Sequence, residues 1–153
     1  MDVRLINPFI NATINVLETM AFIRVEAGTP YLKKDNTATG DVSGVIGLTG
    51  VANGTIAVTF EAECILAVVS GMFGEEMHEL NNEIADAVGE LTNMISGQAR
   101  RELEEIGKRF KAAIPSVVTG KNHSIIHYTD GPKIAIPFTT EKGDFTIEVC
   151  FES

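Results

Sequence analysis

The hexapeptide "TIAVTF" at Thr55–Phe60 returns near the other end of the chain as "TIEVCF" at Thr146–Phe151, identical at four of six positions. In each copy Ile, Val and Phe occupy alternate positions, the two-residue period of a strand with one apolar face. The preceding segments also match, Ile46-Gly47-Leu48 corresponding to Ile136-Pro137-Phe138. Read outward from these strings, each half of the chain holds a helix, a proline-bearing strand and a hairpin. A duplicated unit predicts a pseudo-symmetric fold; chance likeness between amphipathic strands is the alternative. The expected class is α/β of the α+β type, a largely antiparallel sheet of about six strands with helices on one face. The 153 residues are expected to form one domain, residues 1–153.

The local signals place the elements. Asn7 before Pro8 is a helix start, and Ile10, Ile14, Leu17 and Ala21 carry an apolar stripe to about Phe22. "FIRVEAGTPYLKK" reads as a bent or edge strand because Gly28 and Pro30 interrupt it. A polar loop, "KDNTATGD", leads to a hairpin whose turn is marked by Asn53-Gly54. A helix from about Ala62 to Phe73 is stopped by Gly74, and a long helix is expected from about Asn82 to Phe110. The remainder reads as three strands, with Pro115 and Pro137 at edge or bulge positions.

Composition narrows the function. A formal net charge of -9 disfavours nucleic acid and anionic membrane as partners and suits proteins with basic patches. Runs such as "CILAVV" are too short to span a bilayer, and "MDVRLINPF" lacks a secretory pattern, so a cytoplasmic location is expected. Cys64 and Cys150 have no metal-ligand spacing and are expected to be packed small side chains.

The long helix has an inward stripe formed by Ile84, Val88, Leu91, Ile95, Ala99, Leu103, Ile106 and Phe110. Roughly opposite lie Asp86, Glu90, Asn93 and Gly97, with Gly89 and Ser96 on the flank. Two interior glycines oppose the helix by about 2 kcal/mol together. That face therefore reads as one against which another surface docks, leaving Glu90 and Asn93 projecting. Glycines that accommodate a neighbouring helix of the same domain would explain the pattern equally, because exposed polar residues are common on any helix.

"ELTN" at Glu90–Asn93 in a long helix, the opening "NPFINATINVLETMAF" and the repeated helix and hairpin together resemble the CheC/CheX/FliY family of chemotaxis phosphatases, its CheX branch above all. The resemblance covers essentially the whole chain. It implies hydrolysis of the aspartyl phosphate on a CheY-like receiver domain of a response regulator. By that resemblance Asn93 orients the attacking water and Glu90 docks the receiver's active-site Lys. Such roles suit the residue types: an amide holds water without repelling phosphoryl oxygens, and phosphoryl transfer depends mainly on positioning and electrostatics. The resemblance assigns the Mg²⁺ to the receiver, with no cofactor bound by this chain, and implies a homodimer. An ungapped overlay of "NVLETMAF" on "AVGELTNM" puts Glu18 opposite Glu90 and Ala21 opposite Asn93, leaving the first half without the amide and predicting a single active face per subunit.

Other constellations are weaker. His123 and His127 in "HSIIH" have the spacing of a helical metal pair but fall in a loop or strand with no third ligand nearby, and His78 follows a helix stop. "GVIGLTGVANG" lacks the Lys-Ser or Lys-Thr ending of a phosphate loop and fits a hairpin better. Two rivals to the phosphatase reading stand: a receiver-binding or switch-type domain without catalysis, and a structural homodimer whose glycine-thinned face packs on another protein.

Overall fold

A computed structural model of the chain describes residues 3–38 and 40–152; Met1, Asp2, Thr39 and Ser153, which belong to the amino-terminal, loop and final-strand segments read above, lie outside the described residues. In chain order the first half contains α1 (Val3–Ala21), β1 (Glu26–Ala27), β2 (Tyr31–Lys33), β3 (Val42–Gly50) and β4 (Gly54–Phe60). Two helices follow, α2 (Ala62–Phe73) and α3 (Asn82–Glu105), then β5 (Phe110–Ala112), β6 (Ser116–Thr119), β7 (Lys133–Thr140) and β8 (Gly143–Phe151).

The two copies of the hexapeptide pair with each other. β4 and β8 run antiparallel at the centre of the sheet, with Ile56 opposite Val149, Val58 opposite Ile147 and Ala57 opposite Glu148. Ala57 and Glu148 are also equivalent positions of the repeat, so the pseudo-two-fold passes through that pair. The sheet order is β1-β7-β8-β4-β3-β5, with β2 also on β7 and β6 also on β3. The eight strands thus occupy six positions across the sheet, each edge position being filled by a strand broken in two. The edge strand of each half lies beside the hairpin of the other half.

Both breaks have the same cause. Gly28 to Pro30 separates β1 from β2, and Ala113 to Pro115 separates β5 from β6. At each break one backbone bond survives, Gly28 N donating to Pro137 O at 2.7 Å and Ala113 N donating to Gly47 O at 2.9 Å. Pro115 is therefore at an edge, as expected; Pro137 lies inside β7, between β8 and the edge, opposite the one-residue bulge that residues 28–30 make in the edge strand. Its carbonyl points toward the break, and so does the position of its missing N–H, so the proline costs no ladder bond to β8.

All three helices cover one face, where Phe9, Leu17, Ile46, Phe60, Ile65, Leu91 and Ile147 belong to a single buried cluster. Phe145 contacts both Phe60 and Phe138, at centroid distances of 5.1 and 4.9 Å, joining three neighbouring strands. The opposite face is closed at its centre by Ala38 and Ile125 over Val45 and Ala57, from two loops joined by a bridge between Thr37 and Ser124. Cys64 and Cys150 are buried and unpaired, as small packed side chains.

Two boundaries differ from expectation. α1 is already helical at Val3, with Pro8 inside it; Ile6 is buried, which rewards helix before the proline, and Pro8 forfeits only one early bond. α3 ends at Glu105 because Gly107 turns left-handed at φ 80°, and Phe110 enters the core from β5 instead. Ile106 is correspondingly exposed. The overlay of Glu18 on Glu90 also fails, since Glu18 lies in the last turn of α1 and Glu90 is well inside α3.

Candidate functional site

The site helix is fixed at three places. At its start the Asn81 side chain accepts from Ile84 N at 3.1 Å, capping α3. Along its length it lies antiparallel to α1, with Asn15 Nδ2 donating to Gln98 Oε1 at 2.7 Å and Asn11 Nδ2 to Glu102 Oε1 at 3.1 Å. Beneath it, Gly44 of β3 leaves room for Thr92, whose hydroxyl donates to Val88 O at 2.7 Å. A Cβ at Gly44 would overlap Thr92 Oγ1.

This anchoring sorts the "ELTN" segment by depth. Leu91 and Thr92 are buried and Glu90 and Asn93 are exposed, the outcome of a spacing of three on a helix. Neither Glu90 nor Asn93 makes a hydrogen bond or ion pair within the chain among the described residues, so both polar ends are free to meet a partner. Asp86 is exposed one turn earlier on the same stripe, and Glu83 lies earlier still, making the amino-terminal half of this face acidic.

The glycines can now be judged. A Cβ at Gly89 would come no nearer than 3.6 Å to Val117 Cγ2, an ordinary contact, and one at Gly97 would meet only the ends of Arg100 and Arg101 at 3.9 Å. A neighbouring helix of the same chain is not what they accommodate. The low relief beside Glu90 and Asn93 is a property of the outer surface.

His123 and His127 belong to the other side of the sheet. His123 Nε2 and Ser43 Oγ are 2.6 Å apart, and His123 Nδ1 is 2.6 Å from Gly120 O. His127 Nε2 is 3.0 Å from Glu148 Oε1, and Lys33 Nζ donates to Glu148 Oε2 at 2.6 Å and to Thr37 O at 2.6 Å. All three side chains of the Lys33, Glu148 and His127 group are almost fully buried. Burial pushes the Glu148 carboxyl up, but hydrogen bonds from His127 and Lys33 and the Lys33 charge outweigh it, holding the group below the usual carboxylate range. His78 is exposed and 3.7 Å from Glu76. Among the described residues no three His, Cys, Asp or Glu side chains gather as a metal site.

Sequence reasoning missed this buried ionic group. Its one signal was the replacement of Ala57 by Glu148 in the second hexapeptide; the partners come from loops that periodicity does not place. It also missed the Gly44 and Thr92 fit beneath "ELTN", because Gly44 shows its purpose only when α3 is laid over β3.

Comparison with known proteins agrees with the fold. Residues 42–139 match the family model described as chemotaxis phosphatase CheX. The CheY-P phosphatase CheX of Thermotoga maritima is 30% identical over 154 residues, covering 100% of this chain and 99% of its own. The crystal structure of a chemotaxis protein CheX from Desulfovibrio desulfuricans matches with a TM-score of 0.90 and 53% identity, over 97% of this chain and 99% of that one. A CheX–CheY–BeF3–Mg²⁺ complex from Borrelia burgdorferi matches with a TM-score of 0.84 and 26% identity, over 99% of this chain and 100% of that one. The likeness covers essentially the whole chain, and the chain belongs to the CheX family of chemotaxis phosphatases.

Proposed function

We propose that this chain is a protein phosphatase that removes the phosphoryl group from the aspartyl phosphate of a CheY-like receiver domain. The observation that carries the reading is the pair Glu90 and Asn93, exposed and unpartnered on one face of a helix held at its start, along α1 and over β3. The CheX–CheY complex among its relatives supports the choice of partner.

In this reading α3 lies across the receiver's active site. The Asn93 amide, donor and acceptor at once, holds a water in line with the phosphorus. The water oxygen bonds to phosphorus, the bond from phosphorus to the aspartyl oxygen breaks, and the electron pair stays on the regenerated carboxylate. The water's protons end on phosphate or solvent. Glu90 pairs with the receiver's active-site Lys and fixes the approach. Mg²⁺ is supplied with the receiver, and no cofactor of this chain takes part. The same proposal places the protein in the cytoplasm as a homodimer, which light scattering would read as twice the 16.5 kDa chain mass.

The test is loss of phosphate from a panel of phosphorylated receivers with wild type, Asn93→Ala and Glu90→Ala. Wild type should outpace each cognate receiver's own decay, Asn93→Ala should bind without hydrolysing, and Glu90→Ala should bind weakly. Binding by wild type without any acceleration would instead identify a receiver-binding domain.

A further inference from the structure

Phe22 stands out at the end of α1. It is 83% exposed and its backbone is left-handed, with φ 55°. Bulky side chains seldom adopt that conformation, and such residues cluster at functional sites. The equivalent position in the second half, after α3, is Gly107 at φ 80°, the residue that the conformation favours. The first half therefore carries an exposed aromatic where its own repeat carries glycine.

The helix register places this residue. From the contact of Asn15 with Gln98, Phe22 is about 10 Å further along α1, and Leu91 and Glu90 are about the same distance back along α3. Asn11, Asn15 and Glu18 follow one stripe of α1, the bonds from Asn11 and Asn15 to α3 are on its solvent side, and Phe22 follows directly on the last helical residue, Ala21. The end of α1, which Phe22 follows, is thus level with Glu90, about one helix spacing of 8–10 Å away. An open depression of about 560 Å³, lined by Glu18, Phe22, Ile23 and Arg24, adjoins it.

We infer that Phe22 is an apolar docking residue for the same receiver domain, a reading that rests on the proposed function. A partner in a standard interface covers about 800 Å² on each side, a patch reaching about 16 Å from its centre. A receiver that brings its phosphoryl group to Asn93 therefore covers Phe22 as well. An exposed aromatic that an interface buries contributes binding energy through its apolar area, while the polar pair supplies chemistry and register. The receiver should present an apolar surface beside its phosphorylated Asp and Lys.

The experiment is titration of a cognate receiver loaded with beryllofluoride and Mg²⁺, using wild type, Phe22→Gly and Asn93→Ala, with thermal melting of each. Phe22→Gly should weaken binding about tenfold while melting no lower than wild type, since glycine accepts the left-handed backbone. Turnover at saturating receiver should be unchanged. Affinity within twofold of wild type would overturn the inference while leaving the phosphatase reading intact, and a lowered melting point would overturn the strain argument. If wild type neither binds nor dephosphorylates any receiver of the panel, the functional reading fails and takes this one with it.

Discussion

The fit of Gly44 under Thr92 makes Gly44→Ala the most informative single change. The added Cβ would overlap Thr92 Oγ1 and stand 3.1 Å from Thr92 Cβ and 3.2 Å from Val88 Cγ1. Both neighbours are in α3, one of them within "ELTN", so relief requires the helix to lift from the sheet by about 1 Å to regain ordinary carbon contacts. Overpacking of this kind costs about 1–3 kcal/mol, read as a lower urea midpoint with unchanged slope. A 1 Å displacement of a positioning group costs about hundredfold in rate, read as slower phosphate loss from the receiver. Thr92→Ala removes the overlapped hydroxyl, and Gly44→Ala with Thr92→Ala should recover much of the lost stability, a coupling of about 1–2 kcal/mol. Wild-type stability in Gly44→Ala, or simple additivity in the double variant, would refute the claim that this contact sets the height of α3.

Four further outcomes are expected. Glu148→Gln should lower stability by about 3–5 kcal/mol because it leaves the buried Lys33 ammonium without its counter-charge. In the wild type the Glu148 carboxyl titrates below its unfolded value near 4.3. Its contribution is accordingly complete above about pH 4.3 and is lost as pH falls through the folded value, a trend that acid unfolding of wild type against Glu148→Gln would show. The Cys64 thiol, pushed up to about 12 chiefly by burial, should not react with an aromatic disulfide reagent at pH 8 until denaturant is added. Gly97→Ala should stabilise α3 by up to about 1 kcal/mol in thermal or urea unfolding, as nothing but arginine ends lies near the new methyl. Gly89→Leu should keep the circular dichroism of the fold yet impair receiver docking, and undiminished phosphatase activity in it would remove the reason offered for the glycine.

Much of the fold was legible because its signals are short-range. Alternation marked both hexapeptides, Gly74 stopped α2 where expected, and Gly28, Pro30 and Pro115 marked breaks in edge strands. The face carrying Glu90 and Asn93 followed from helical spacing, and burial divides "ELTN" accordingly. Misreadings arose where local signals competed. Asn7-Pro8 resembles a helix start, yet burial of Ile6 extends the helix before it. Phe110 continued the apolar period of α3, yet Gly107 had already turned the chain.

By itself the sequence determined the repeat, which is identity between two strings, and the alternation of its strands and the polar stripe of the long helix, which depend on residues two to four apart. Only the tertiary structure decided that the halves exchange edge strands about the Ala57 and Glu148 pair. It alone joined Lys33, His127 and Glu148 from three distant segments, set Gly44 beneath Thr92, and laid α1 antiparallel along α3. These depend on which apolar faces meet across long stretches of chain, a choice made by the free energy of the whole packed sheet and its helices.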